Sequence, residues 1–365
     1  MNIRRQHTLP ENIKNILIIQ LGDIGDVVLT TPTLWAVKEA YPEARLSILL
    51  REGNGSLLEA DPSIYKTYEV KKHTGSFLVK AIRQIGFIRE LRQEHFDLVF
   101  DLRSDERGAF MSFITGAPIR ASLYHQDVSP WRNFLFTHLV RPSQENVRTS
   151  FGAAEQSLRI VRGFDIEAKT DVPKLWVSDE TTHRAEKILE GEGIHPLIGP
   201  SDLWVTLNPF SRWPYKEWDI KKWAQIIDWL WKEYKIATVV VGAATEHERA
   251  GKIVQACSGK SYNLAGKTSL AELAGILSLS RLHIGVDSAA PHIAAAVGTP
   301  TITLYGPSDW RDWAPVGDRH RVVVPDMDCV PCHKKGCDGN GRSDCLETLG
   351  IEPMQTVIRE VLKSA

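Results

Sequence analysis

No run in this chain approaches the ~18 consecutive apolar residues that a spanning helix requires, so no membrane crossing is expected. The polar opening "MNIRRQHTLPENIKN" has no apolar region of the signal-peptide kind, and a cytoplasmic location is expected. A basic excess is missing too: 44 Lys and Arg face 45 Asp and Glu, for a formal net charge of −1, which argues against a nucleic-acid partner. Cysteine is scarce, at five residues, and disulfides are not expected in a reducing compartment. Internal repeats and low-complexity tracts are absent as well. What remains is a soluble globular composition, 43% hydrophobic and 24% charged, spread over 365 residues. That length exceeds one ordinary core, and two domains are the natural reading.

Apolar runs alternate with amphipathic stretches along nearly the whole chain. In the first half, 15–20, 45–50, 97–101 and 119–123 read as strands, and 27–40, 77–93 and 107–114 as helices by their 3.6 spacing. In the second half, strands at 203–207, 237–241, 282–286 and 301–304 alternate with helices at 217–233, 246–256, 270–277 and 289–296. This order predicts an α/β protein with two mostly parallel, Rossmann-like domains facing across a cleft, at 1–190 and 203–350. The Gly- and Pro-rich "EGEGIHPLIGPSD" is the expected linker. Residues 351–365 form a C-terminal helix expected to pack back on the first domain. In such sheets ligands sit at the carboxyl ends of strands, so the residues just after each strand carry the interest.

The first such stretch, "QLGDIGDVVLTTP", lacks the third glycine of the dinucleotide pattern G-x-G-x-x-G, and Asp26 stands where a phosphate-binding helix would start. Asp26 reads equally as a helix-start residue, favoured by ~0.3–1 kcal/mol at that end of the dipole, and as a general base held ionised. In "NPFSRWPYKEWDIKKW", Ser211, Arg212 and Lys216 follow a strand where anionic ligand groups would lie, although Lys216 alone reads as a surface lysine. Trp223, Ile226, Ile227, Leu230 and Tyr234 share a helical face and read as core. Glu246, in the first turn after "VVVGAATE", is a dipole partner or a ribose acceptor. The block "HIGVDSAAPHIAAAVGTPTITLYGPSD" places Asp287 and Ser288 before a helix of small residues that begins at Ala289. Free N–H groups there can bind a diphosphate, and His292 lies one turn further on the Ser288 side.

Four cysteines crowd into "CVPCHKKGCDGNGRSDC", but the spacings after Cys329 and Cys332 to Cys337 and Cys345 match no familiar zinc module, and reduced thiols are the reading preferred to a metal. The D-x-D of Asp326 and Asp328 is a triplet that arises often by chance.

Together, Gly25-Asp26 with Thr31-Pro32 and the "GVDSAAPHIAAAVGTPTITLYGPSD" block resemble glycosyltransferase family 9, the ADP-heptose:lipopolysaccharide heptosyltransferases, from Ile16 to the C-terminal helix. "SRWPYKEW" and the cysteine-rich tail are similar to its heptosyltransferase III-like branch. The resemblance implies a GT-B fold, an inverting transfer of heptose from ADP-heptose to a lipopolysaccharide inner-core acceptor, and no metal or other cofactor. It puts the base on Asp26, the donor-phosphate lysine on Lys216 with Ser211 and Arg212 beside it, and a nucleotide contact on Glu246. It puts an adenine-pocket residue on Thr268, and the diphosphate loop on Asp287, Ser288, Ala289 and His292. An anionic, lipid-anchored acceptor implies peripheral contact with the cytoplasmic face of the inner membrane. The basic, apolar-striped segment 70–93 is the expected docking element, with Lys71, Lys72 and Lys80 as acceptor contacts together with Arg107 at the start of the next helix. Rival readings are a nicotinamide-dependent oxidoreductase, a transferase for another sugar, and a non-catalytic nucleotide-sugar binding protein.

Overall fold

The computed structural model describes residues 2–4, 6–71, 77–126, 129–141, 154–194, 203–339 and 341–364. The chain divides into two compact units, Met1–Pro173 and Lys174–Ala365. The first holds a parallel sheet of β1 (Asn2–Arg4), β2 (Asn15–Gln20), β3 (Arg45–Arg51), β4 (Lys66–Val70), β5 (Leu98–Asp101), β6 (Ile119–Leu123) and β7 (His138–Val140). Their spatial order is β1-β7-β6-β5-β2-β3-β4. The second unit holds β8 (Trp204–Asn208), β9 (Ala237–Val240), β10 (Ser261–Asn263), β11 (His283–Val286), β12 (Thr301–Leu304) and β13 (His320–Val323). These are ordered β10-β9-β8-β11-β12-β13, again all parallel.

With β1 set aside as an added edge, both sheets have the Rossmann order 3-2-1-4-5-6. Each therefore reverses direction once, between β2 and β5 in the first unit and between β8 and β11 in the second. At those points the helices leave on opposite faces and a crevice opens at the carboxyl edge.

Strands covered on both faces show no polar alternation. β5, β8, β9, β11 and β12 are buried at every residue, and β2 at all but Asn15. Against the first sheet pack Leu91 and Phe96 beside Leu17, Ile19, Leu49, Tyr68 and Val99. In the second, Trp223, Ile226, Ile227 and Leu230 of helix Ile220–Tyr234 meet Val205, Leu207, Ile284 and Ile302, which makes that face core as expected, except Tyr234, which is exposed at the helix end where its ring lies against Trp229.

Several sequence expectations shift. The single helix expected over 27–40 is two, Ile24–Leu29 and Thr31–Ala40, because Pro32 has no N–H to continue the first. The units divide at Pro173, earlier than the Gly- and Pro-rich 190–202. Helix Asp179–Gly191 contributes Ala185 and Leu189 to a core with Trp204, Val239 and Ile276, so it belongs to the second unit. The expectation for the C-terminal helix was the first domain. In the structure, Met354, Ile358 and Val361 of helix Glu352–Ser364 lie in the core of the second unit.

Candidate functional site

At the first switch point the chain leaves β2 through Leu21 and Gly22 into helix Ile24–Leu29. Asp23 is the N-cap, with extended backbone, and Asp26 sits at the third helical position. The Asp26 carboxylate turns back to accept the Asp23 N–H at 2.8 Å. The same Oδ2 accepts Arg103 Nη1 at 3.1 Å, from the loop that follows β5 across the switch point. Gly22 makes this fold-back possible: a Cβ there would lie 2.8 Å from the Asp26 carboxyl carbon. Asp26 thus caps its helix and still exposes about a fifth of its side chain, at 22%. The capping contact leaves part of the carboxylate open at the carboxyl edge.

Two further groups shape the crevice. Arg51, at the end of β3, pairs with Asp23 at 2.5 Å. Asp101, at the end of β5, is fully buried and accepts the Arg103 N–H at 3.2 Å, with buried Arg132 3.8 Å away. Burial raises the Asp101 carboxyl to about 7, opposed by the Arg132 charge. A Cβ on Gly108 would lie 2.6 Å from the Asp101 carboxyl carbon, so this pocket is closed tightly. Asp101 therefore fixes the loop that presents Arg103, where Ser104 has a positive φ of 60°.

Of the expected acceptor contacts, Lys71 is exposed just beyond β4, two strands from the switch point. Lys72 and the Lys80 side chain lie outside the described residues. Arg107 is exposed and pairs with Asp105 at 3.1 Å. Arg51 and Arg103, which face the acids directly, carry no local signal in the sequence. Only the strand order brings β3 and β5 to the two sides of β2.

At the second switch point the expected donor residues gather. Lys216 Nζ lies 2.5 Å from Asp287 Oδ2. Ser211 Oγ donates to the Asp287 carbonyl at 3.1 Å, and the Ser211 N–H donates to Glu217 at 3.0 Å. Glu217, read in the sequence only as the start of a helix, also pairs with Arg249, whose guanidinium lies over the Phe210 ring at 4.8 Å. Ser288 caps helix Ala289–Ala296, and its Oγ is buried without a hydrogen bond to any described residue. The Tyr305 hydroxyl is in the same condition, its pKa raised by burial and by Asp287. Buried hydroxyls without partners are seldom left so. Beside a helix start with free N–H groups they fit an anionic ligand that supplies acceptor oxygens. His292 is buried one turn along.

The remaining donor candidates follow the neighbouring strands on the same carboxyl edge. Glu246 accepts the Ala243 N–H at 2.6 Å, and burial raises its pKa. Thr268 is half-buried after β10, beyond the β9 loop that carries Glu246. Arg212 lies 5.3 Å over the Trp213 ring. The cysteines are free: Cys329 is exposed, Cys332 and Cys337 are half-buried, and the buried Cys345 thiol is pushed up to about 11, mainly by desolvation. Among the described residues no group of three or more His, Cys, Asp or Glu is arranged to hold a metal, and Asp326 and Asp328 are exposed. No helix of the described residues is long and apolar enough to cross a membrane.

A sequence model described as glycosyltransferase family 9 (heptosyltransferase) matches residues 85–341. Lipopolysaccharide heptosyltransferase 3 of Escherichia coli K12 is 30% identical over 79% of this chain and 82% of its own length. A second E. coli heptosyltransferase 3 is 28% identical over 80% and 84%. Among solved structures, a family 9 glycosyltransferase from Veillonella parvula superposes with a TM-score of 0.81 at 21% identity, covering 98% of this chain and 99% of its own. E. coli ADP-heptose LPS heptosyltransferase II gives 0.75 at 19%, covering 96% and 99%. These likenesses establish the fold class as GT-B.

Proposed function

The chain belongs to glycosyltransferase family 9, and from that premise we propose that it moves heptose from ADP-heptose to a lipopolysaccharide inner-core acceptor with inversion. The observation that carries this reading is Asp26: a half-buried carboxylate with part of its surface open, held in place at a switch point, on the unit whose edge also carries Arg51 and Arg103. Those guanidinium groups suit an anionic acceptor.

In the proposed reaction the acceptor hydroxyl gives its proton to Asp26 as its oxygen forms a bond to the anomeric carbon of the donor. The bond from that carbon to the diphosphate breaks on the opposite face, and ADP leaves with the electron pair. The second unit binds the donor. The free N–H groups at the start of helix Ala289–Ala296, the Ser288 hydroxyl and Lys216 take up the developing negative charge. Asp287, an anion itself, holds Lys216 toward this point. Glu246 accepts from the ribose, and Thr268 lines the base pocket. A fixed cation and a helix N-terminus do the work that a divalent ion performs elsewhere, so the reaction proceeds without metal. The acceptor's lipid anchor brings the enzyme to the inner-membrane surface as a peripheral protein.

The test is a panel of nucleotide sugars offered with a lipid-linked core acceptor, with the anomeric configuration of the product read by NMR. ADP-heptose should be the preferred donor and the configuration should invert. Preference for another sugar nucleotide, or retention, would overturn the assignment.

A further inference from the structure

The first unit carries two helices whose outward faces are aromatic. Helix Glu106–Ile114 buries Gly108, Ala109 and Ser112 and turns Phe110 and Phe113 to solvent, at 52% and 50% exposure. Helix Pro130–Phe134, which packs against it, is inverted more sharply. Its inward side chains are Arg132 and Asn133, and its outward ones are Trp131 and Phe134, at 46% and 69% exposure. The buried Arg132 donates to the Leu123 carbonyl at 2.6 Å, Asn133 Oδ1 at 2.8 Å and Ser122 Oγ at 2.8 Å. Folding alone favours the opposite placement, with Trp and Phe inside and Arg outside. Clustered exposed aromatics of this kind mark an interaction surface.

Charge identifies the occupant. Exposed Arg107 lies on the outward side of the first helix, and Arg120 lies over the Phe113 ring at 5.7 Å. Arg92 is exposed and donates to the Ile114 carbonyl at the helix end. Two acids lie beside them and both are engaged: Glu106 accepts from Ser129 Oγ at 2.6 Å, and the N-cap Asp105 accepts the Gly108 N–H at 2.8 Å and pairs with Arg107, which leaves Arg92 and Arg120 in excess. Trp and Phe with interspersed Arg suit the headgroup boundary of an anionic bilayer, where rings sit among acyl carbonyls and guanidinium groups meet phosphates. Helix Glu106–Ile114 also begins three residues after Arg103, the partner of Asp26. A bilayer on this face would present a lipid-anchored hydroxyl close to the candidate base.

We infer that the face formed by Phe110, Phe113, Trp131 and Phe134 is the docking surface of this protein for an anionic phospholipid membrane. The inference deepens the proposed function and rests on its lipid-linked acceptor. It also centres membrane contact on these two helices, with Arg92 at the end of segment 70–93 beside them.

The test is flotation of the full chain with phosphatidylcholine vesicles containing phosphatidylglycerol, without glycolipid or sugar nucleotide. The parent should float, and a variant with Phe110, Phe113, Trp131 and Phe134 each changed to Gln should lose roughly tenfold or more of its partition. ADP affinity and melting temperature, read on the same variant, should hold. Arg107→Glu should weaken flotation on anionic vesicles only. Equal flotation of parent and aromatic variant would overturn the inference. So would a parent that stays off the vesicles but forms a dimer in sedimentation that the variant cannot form. Because the vesicles contain no acceptor, a failed heptose-transfer assay beside patch-dependent flotation would remove the function and leave the docking surface standing.

Discussion

Gly22→Ala is the most incisive perturbation of the candidate base, because it moves the carboxylate without removing it. Position 22 is not among the glycines of positive φ, so alanine fits the backbone there. The new Cβ would lie 2.7 Å from the Asp26 Cβ and 2.8 Å from its carboxyl carbon, separations that carbon atoms do not tolerate. The first turn that carries Asp26 must then shift, and its carboxylate moves by the better part of an ångström. A misplacement of about 1 Å in a reacting group is worth on the order of 10²-fold in rate, or ~2.7 kcal/mol in the barrier. Stability falls too, because the Asp26 Cβ is fixed by the backbone and the first helical turn must give. Replacing Gly by Ala at a compatible position stabilises by ~0.4–1 kcal/mol through the unfolded chain, which offsets part of the clash. The assay is ADP release with lipid-linked acceptor, run beside calorimetric ADP binding and thermal melting. We expect kcat to fall about a hundredfold, with ADP affinity unchanged and a lowered melting temperature. Asp26→Asn should lower kcat by ~10²–10⁴, and adding Gly22→Ala to it should lower kcat no further, since both act through one group. Gly242→Ala is the internal control, because its Cβ would lie 2.7 Å from Glu246 Oε2. That change should weaken ADP binding instead. If Gly22→Ala leaves kcat within a few-fold of the parent, or if the two first-unit changes multiply, Asp26 is only a cap.

Lys216→Ala should weaken ADP binding by roughly one to two decades, the loss of a charge-assisted contact of ~1.5–3 kcal/mol; unchanged calorimetric affinity would leave the lysine as a partner of Asp287 alone. Transfer should continue in excess EDTA, and loss of activity restored by Mg²⁺ or Mn²⁺ would contradict the metal-free mechanism. Above pH 7, where the Asp101 carboxyl is ionised, Asp101→Asn leaves the buried Arg132 charge uncompensated, which should cost ~3–5 kcal/mol and lower the melting temperature by roughly 6–20 °C for a unit of this size; a shift of a degree or two there would show that the pair does not hold the Arg103 loop. His283 is fully buried, and desolvation lowers its pKa to about 3 from an ordinary 6.5. The unfolded chain therefore takes up that proton first, and stability is lost as pH falls from about 6.5 toward 3. His283→Gln should melt with a shallower pH dependence than the parent between pH 6.5 and 4.5, and parallel curves would refute this.

The sequence by itself determined the β/α alternation, the location of the central strands and the helices that follow them. β2, β5, β8 and β11 are short apolar runs because a parallel sheet covers both of their faces, and that signature is local. It also marked Asp26, Lys216, Asp287 and Ser288, since each lies just after such a run or starts the helix beyond it. The outer strands β1, β4, β7, β10 and β13 left no comparable trace. They are short, and β4 and β10 are largely half-buried, so Tyr, Lys and Glu serve in them as well as Val does. Tertiary structure alone decided the partners. Arg103 reaches Asp26 across 77 residues of chain because the order β5-β2-β3 makes their loops neighbours, and no spacing in the sequence encodes strand order. The inverted helix Pro130–Phe134 was equally illegible. "WRNF" reads the same whichever pair of side chains faces inward, and the choice fell to a buried carboxylate, Asp101, that required Arg132 beside it.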